Sequence, residues 1–323
     1  MAYDGLMKIL VTGADGFIGK NLCYFLEREL NIIPYGLDLP DFYNKSDWAS
    51  ELLSIVNEIN PNVIFHIGAC SDTLETGVNY MMELNYESTK ILTDWARDHN
   101  GKIIYSSSAA SYGINNKFPS NLYGWSKYVA EGYVTSNGGV ALRYFNVYGP
   151  GENHKGRMSS VALQMLDKKK NGEDILLFPG DPKRDFVYVD DVVSANIFSM
   201  ENYKRIRSDW YDVGSFTARS FEDVLKNTGI EKWGYHEEEE IPVGYQFYTK
   251  ASKIIPGWNP KYTLETGLKE YIKVLNRMKN NPKFNDYKPL LPFIEDILHR
   301  RFNYNDSDSD SDDSDSDSEC SES

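Results

Sequence analysis

Lys8-Ile9-Leu10-Val11-Thr12-Gly13-Ala14-Asp15-Gly16-Phe17-Ile18-Gly19 is the stretch on which the reading of the fold turns. Lys8 to Val11 is a short apolar, β-prone run; three glycines follow at intervals of three, and Leu22, Phe25, Leu26 and Leu30 then recur at helical spacing. A strand, a bare glycine turn and a helix together bring backbone amides and a helix N-terminus to one point, where a pyrophosphate is readily held. Working outward, strands are expected at residues 32–37, 63–66, 102–106 and 140–144, with helices at 48–59, 81–99 and 123–135 between them. That alternation implies an α/β fold built on a doubly wound parallel sheet covered on both faces.

Past residue 144 the alternation weakens, and Gly149-Pro150-Gly151 introduces an irregular segment before a helix at 159–169. Two later strands, 186–189 and 210–213, flank a helix at 192–200 that is expected to return the chain to the first layer, and helices at 221–227 and 264–275 follow. The expected organisation is a dinucleotide-binding domain over 1–146, completed by 184–213, and a smaller interleaved α/β substrate domain over 147–183 and 214–290. The Glu237 to Glu240 run reads as a solvated loop or strand edge. An extension over 291–323 ends in an acidic Ser/Asp tail, expected to be disordered because it has no apolar area to bury and repels itself.

The chain has 323 residues, 41% of them hydrophobic, which is enough for a packed core. Its formal charge of −14 is concentrated: residues 306–323 hold seven Asp, two Glu and no Lys or Arg, so the body is left at about −5. There is no basic stripe to neutralise phosphates, so no nucleic acid is expected as partner. Nor is a membrane, since no apolar run reaches spanning length. Cys23, Cys70 and Cys320 are too few and too scattered for a disulfide framework or a metal site, which fits a reduced, cytoplasmic setting.

The chemistry is carried by Tyr123-Gly124-Trp125-Ser126-Lys127, together with the upstream Ser106-Ser107-Ser108. A tyrosine and a lysine four apart share one helix face, and an ammonium beside a phenol favours the phenolate, an alcohol-deprotonating base. Gly68-Ala69-Cys70 follows a strand end and is expected to line the cofactor ribose, while Asn85 is expected to brace the sheet without touching ligand. Asp38 lies beyond the second strand at the spacing of a carboxylate that accepts the adenosine 2′-hydroxyl, although a short run to the next helix leaves adenine as the other contact. Lys45 offers charge to a 2′-phosphate, so the cofactor is left as NAD or NADP.

Five ordered motifs then carry a resemblance: residues 12–19, Ser106 to Gly113, Tyr123 to Lys127, Arg143 to Pro150 and Arg184 to Asp191 resemble the extended short-chain dehydrogenase/reductase superfamily, with its Rossmann-type fold, across about residues 7 to 277. Within it, His154-Lys155-Gly156-Arg157-Met158-Ser159-Ser160-Val161, Phe65 to Ser71 and Tyr245-Gln246 are similar to the ADP-L-glycero-D-manno-heptose 6-epimerases. The resemblance implies cofactor contacts from Gly13, Gly16, Phe17, Ile18, Gly19, Asp38, Gly68, Ala69, Tyr123 and Lys127. It implies catalysis by Ser108, Tyr123 and Lys127, with Lys155 as a second acid/base. Substrate contacts are implied for Ser71, Asn146, His154, Met158, Arg184 and Tyr245, with Asn146 and Arg184 on the diphosphate. The chain departs from the pattern in a short interval between Ser108 and Tyr123 and in Gly244, where a basic residue is expected.

The expected reaction is epimerisation of a nucleotide-diphospho-sugar by transient oxidation at C6. A tightly retained NAD(P) is regenerated in each turnover, and the family suggests a homo-oligomer. A 4-epimerase or a 4-keto-sugar reductase shares the Ser-Tyr-Lys machinery and stands as the alternative. A non-catalytic cofactor-binding regulator stands as the alternative of another class.

Overall fold

A computed structural model describes residues 7–38, 46–114, 117–241 and 246–280. Six parallel strands form the main sheet in the order β2-β1-β3-β4-β5-β9: β1 (Ile9–Thr12), β2 (Tyr35–Leu37), β3 (Val63–His66), β4 (Lys102–Ser108), β5 (Val140–Tyr144) and β9 (Asp209–Val213). Alternate residues of each strand feed two separate cores, as a sheet buried on both faces requires. Ile9, Val11, Phe65 and Leu142 pack on one face with Leu22 and Leu26 of the helix Phe17–Glu29 and Val192 of the helix Val189–Glu201. Leu10, Ile64 and Ala141 pack on the other with Leu52, Leu92 and Val134 of the helices Trp48–Ile59, Ser88–Asp98 and Leu122–Ser136. Strand order reverses at β1, which lies between β2 and β3, and a crevice opens at the carboxyl ends of such strands.

The second layer holds β6 (Asn146–Tyr148), β8 (Lys183–Tyr188) and β10 (Ala218–Ser220) in the order β10-β8-β6, and a pair of two-residue strands, β7 (Leu176–Leu177) and β11 (Gly234–Tyr235). Its core is aromatic, with Tyr148, Phe186 and Tyr188 packed on Leu268 and Tyr271 of the helix Leu264–Asn280. The expected return to the first layer at residue 184 is therefore corrected. Residues 183–188 pair with β6 and β10, and only the helix from Val189 and strand β9 rejoin the main sheet. Val189, expected to end a strand, begins that helix. The expected strand at 32–37 is ordered as such only from Tyr35, and the expected helix at 81–99 is interrupted by one π-helical turn, Glu83–Glu87. Glu238–Glu240 forms an exposed 3-10 turn. Among the described residues no helix is long and apolar enough to cross a membrane. The Ser/Asp tail, Lys45 and Gly244 lie outside them.

Two glycines make the crevice possible. Gly13 has φ of +66°, and a Cβ there would stand 2.6 Å from Gly68 Cα, so the loops leaving β1 and β3 touch backbone to backbone. Gly132, on the exposed face of the helix Leu122–Ser136, has open space around it. Gly13→Ala is expected to cost at least about 2 kcal/mol through strain and overlap. Gly132→Ala is expected to gain about 0.5–1 kcal/mol from helix propensity alone. Urea midpoints at unchanged slope measure both.

Candidate active site

The helix Leu122–Ser136 starts where it does because Asn121 caps it, its side-chain oxygen accepting the Gly124 amide at 2.8 Å. That start places Tyr123 in the first turn. Strand β4 ends at Ser108, whose hydroxyl accepts the Ala110 amide at 3.2 Å and opens the 3-10 turn Ala109–Tyr112 packed against the same helix. Gly124 permits the approach, since a Cβ there would meet the Ala110 carbonyl at 2.7 Å. Ser108 and Tyr123 therefore converge on the crevice from two elements.

The crevice encloses about 540 Å³. Gly13, Gly16, Phe17, Ile18 and Gly19 line one end, where no side chain caps the helix beginning at Phe17. Asp38 lies there too, its carboxylate accepting the Asp15 amide at 2.9 Å. Gly68, Ala69 and Ser71 form a wall; Ser108, Tyr123 and Lys127 stand at the centre; His154, Lys155 and Met158 close the far side. A bare glycine cradle, an uncapped helix N-terminus and a carboxylate at the end of β2 fit a dinucleotide: pyrophosphate on the amides, ribose toward Asp38.

Two expected substrate contacts, Asn146 and Arg184, do not line this crevice. Asn146 is exposed on β6, and Arg184 is buried with its guanidinium 5.7 Å from the centre of the Phe221 ring. Both belong to the second sheet, whose strands aim them elsewhere. Tyr245 lies outside the described residues; its neighbour Gln246 donates to the Gly113 carbonyl at 2.9 Å. Conversely, Cys70, Asp72, Tyr80, Leu84 and Phe145 line the crevice, and of these only Cys70 was singled out from the sequence. Asp72 accepts Arg157 at 2.8 Å, joining the loop after β3 to the segment that carries Lys155.

Burial governs the electrostatics. Lys127 is buried, donates to the Ser106 carbonyl at 2.7 Å, lies over the Tyr105 ring and is pushed down from 10.5 to about 7 by desolvation. Burial raises the Tyr123 phenol, and the opposing influence is the Ser108 hydroxyl. The Lys127 amine is directed at the Ser106 carbonyl, and burial favours the neutral form of both Lys127 and Tyr123. Lys155 is lowered by burial against the pull of Glu152, and its ammonium lies 5.7 Å from the Phe17 ring centre. His154 is lowered by burial and then by Lys20.

The segment bearing Lys155 is anchored at several points. Asn21, on the helix Phe17–Glu29, donates to the Pro150 carbonyl at 2.9 Å. Glu152 is fully buried and accepts from the Gly149 amide at 3.2 Å and from the Ser160 hydroxyl at 2.7 Å. A phenol and a hydroxyl at the centre, with an amine of depressed basicity across the crevice, can move protons on either side of an alcohol carbon placed between them.

Known proteins resemble this chain over most of its length. The model of the NAD dependent epimerase/dehydratase family matches residues 9–214. The ADP-L-glycero-D-manno-heptose-6-epimerase of Brachyspira hyodysenteriae is 36% identical over 319 residues, spanning 83% of this chain and 98% of that protein. The crystal structure of the Helicobacter pylori ADP-L-glycero-D-manno-heptose-6-epimerase superposes with a TM-score of 0.72 at 29% identity, covering 84% of this chain and 98% of the other. The UDP-glucose 4-epimerase of Thermotoga maritima, 24% identical, shares the fold with a TM-score of 0.71 over 84% of this chain and all of its own.

Lys127 gives a test of the site's burial. Below about pH 7 the folded protein must hold an ammonium out of water; between about 7 and 10.5 it has released a proton that the unfolded chain still binds, so this cost fades as pH rises. In cofactor-stripped protein, Lys127→Met is expected to stabilise most near pH 6, with an advantage on the order of 4 kcal/mol that shrinks toward zero by about pH 10. Thermal unfolding across that range reads the slope, and a pH-independent difference refutes the depressed amine.

Proposed function

The chain belongs to the NAD dependent epimerase/dehydratase family, and from that premise we propose that it is a nucleotide-sugar epimerase acting on ADP-D-glycero-D-manno-heptose, inverting C6 to give the L-glycero epimer. The observation that carries the proposal is that Tyr123 and Lys155 line one crevice from different layers of the fold. The heptose epimerase relatives named above, alike over more than four-fifths of this chain, supply the substrate class.

NAD, when bound, supplies a reversible acceptor for the C6 hydride. Tyr123, as the phenolate, takes the proton of the C6 hydroxyl, and Ser108 donates a hydrogen bond to the same oxygen. The product of that step is a ketone retained in the crevice. Hydride return to the opposite face requires the sugar to turn, after which its oxygen points away from Tyr123. Lys155 serves that side: burial lowers its affinity for a proton below that of a free amine, which favours exchange with the new alcohol. Lys127 holds the cofactor ribose in this scheme. His154 and Met158, which line the crevice beside Lys155, face the sugar diphosphate in this scheme. Tight cofactor retention, a homo-oligomeric assembly and a cytoplasmic setting belong to the same proposal.

Two variants separate this scheme from a one-base mechanism. Tyr123→Phe and Lys155→Met are each expected to lower epimerisation by about 10²- to 10⁴-fold. Each is still expected to oxidise the one epimer whose hydroxyl faces its surviving base, seen as reduced nicotinamide absorbance in a single turnover. Proton NMR of the purified protein with the D-glycero substrate and no added cofactor follows the C6 epimer directly. Full activity in Lys155→Met removes the second base, and an unchanged wild-type spectrum, also after NAD is added, moves the substrate to another sugar nucleotide.

A further inference from the structure

Beneath the crevice lies a chain of buried polar groups with no contact to solvent. Thr12, His66, Thr89 and Ser126 are fully buried and Asn85 is 1% exposed. The Gly68 amide donates to Thr12 Oγ1 at 3.0 Å; Thr12 Oγ1 lies 2.7 Å from His66 Nδ1; His66 Nε2 lies 2.9 Å from Thr89 Oγ1; and Thr89 Oγ1 donates to the Asn85 carbonyl at 2.8 Å. The Asn85 side chain accepts the Cys70 amide at 2.8 Å and donates to the Cys70 carbonyl and to Ser126 Oγ, each at 2.9 Å, with Met81 Sδ as a weaker neighbour at 3.0 Å. Ser126 Oγ donates to the Tyr123 carbonyl at 2.8 Å.

One assignment of protons satisfies every group in this chain. Thr89 has one hydroxyl hydrogen and uses it on the Asn85 carbonyl, so it accepts from His66, and His66 carries its proton on Nε2. Nδ1 is then an acceptor, so the Thr12 hydroxyl donates to it while accepting from Gly68. A protonated imidazole would leave the Thr12 hydrogen without an acceptor, and burial together with Lys127 pushes His66 down to about 3, consistent with a neutral ring. The Asn85 amide admits one orientation only, because the Cys70 amide needs an oxygen and the Cys70 carbonyl needs an N–H. Asn85 also sits in the π-helical turn Glu83–Glu87, a widening that recurs where a helix serves a site.

We propose that Thr12, His66, Thr89 and Asn85 form a one-way hydrogen-bonded relay that positions Tyr123 against the cofactor-binding loop, with Asn85 clamping the Cys70 wall of the crevice to the catalytic helix. Its first donor, Gly68, and the residue it clamps, Cys70, both line the crevice; the line from Gly68 ends on the Asn85 backbone carbonyl, and the Asn85 side chain carries the connection on through Ser126 to the Tyr123 carbonyl. Aligned donors polarise one another, so removing one member weakens the whole line, and these residues act as positioning residues without touching the substrate. Asn85 thus braces a loop to a helix, where the sequence suggested that it braces the sheet.

The test rests on the epimerase reading for its rate measurements and stands apart from it in its spectroscopy. Nitrogen-resolved imidazole NMR of the cofactor-bound wild type is expected to show His66 neutral with the proton on Nε2; an Nδ1-protonated or cationic ring overturns the relay. Thr89→Val keeps the side-chain shape and removes the hydroxyl. It is expected to lower kcat for epimerisation about tenfold with KM within about twofold of wild type and full NAD content, and Thr89→Ser to restore it. Wild-type kcat in Thr89→Val, or no recovery in Thr89→Ser, overturns the proposal. An inert wild type would count against the substrate reading alone, and the His66 spectrum then decides the relay, as it does if Thr89→Val does not fold.

Discussion

The structure depends on two backbones meeting with nothing between them. Where β1 and β3 end, Gly13 and Gly68 lie so close that any Cβ would part them, and the crevice of the doubly wound sheet opens above that contact. The glycine turn, the uncapped start of the helix Phe17–Glu29 and the wall from Gly68 to Ser71 all take their positions from it. A larger residue at either glycine would displace the surface on which a pyrophosphate rests and separate the layers that carry Tyr123 and Lys155. Bare backbone forms the surface of the crevice here, so side-chain size is what these two positions constrain.

Desolvation then sets the chemistry of the groups around that contact. Lys127, Tyr123, Lys155 and Cys70 all shift toward their neutral forms, with burial as the leading cause for each. A site prepared in this way holds few fixed charges of its own. An incoming dinucleotide and a sugar diphosphate bring the charge with them, and their arrival favours the cationic lysines, so the protonation state of the crevice is set by its contents.

How much of this could be read from the residues alone varies with how local the cause is. The strand, glycine turn and helix at the start of the chain, the strands Val63–His66 and Val140–Tyr144, and the helix Trp48–Ile59 follow from periodicity and appear where it places them. The π turn at Glu83–Glu87 was not legible, because one extra residue in a helix leaves the apolar pattern nearly unchanged over a single turn. The membership of Lys183–Tyr188 in a second sheet was not legible either, since pairing partners are chosen by tertiary packing, and with it went the placement of Arg184 and Asn146. Tyr80 and Leu84 reach the crevice only because their helix packs across the catalytic one, and no local pattern marks them. The depressed amine of Lys127 is likewise a property of its surroundings and not of its spacing from Tyr123.

The fastening of the segment around Lys155 has a consequence for how an epimerase of this design moves. Asn21 ties that segment to the helix whose start faces the cofactor, and the buried Glu152 ties it to its own continuation at Ser160. Lys155 and Phe17 are consequently tied into one unit, and Tyr123 lines the same crevice. In the two-base scheme proposed above, this segment then need not swing for the second half of the reaction: the rotor would be the ketone, turning inside about 540 Å³ between Tyr123 and Lys155. Turnover in that scheme would depend on how freely the cargo spins while its diphosphate stays moored.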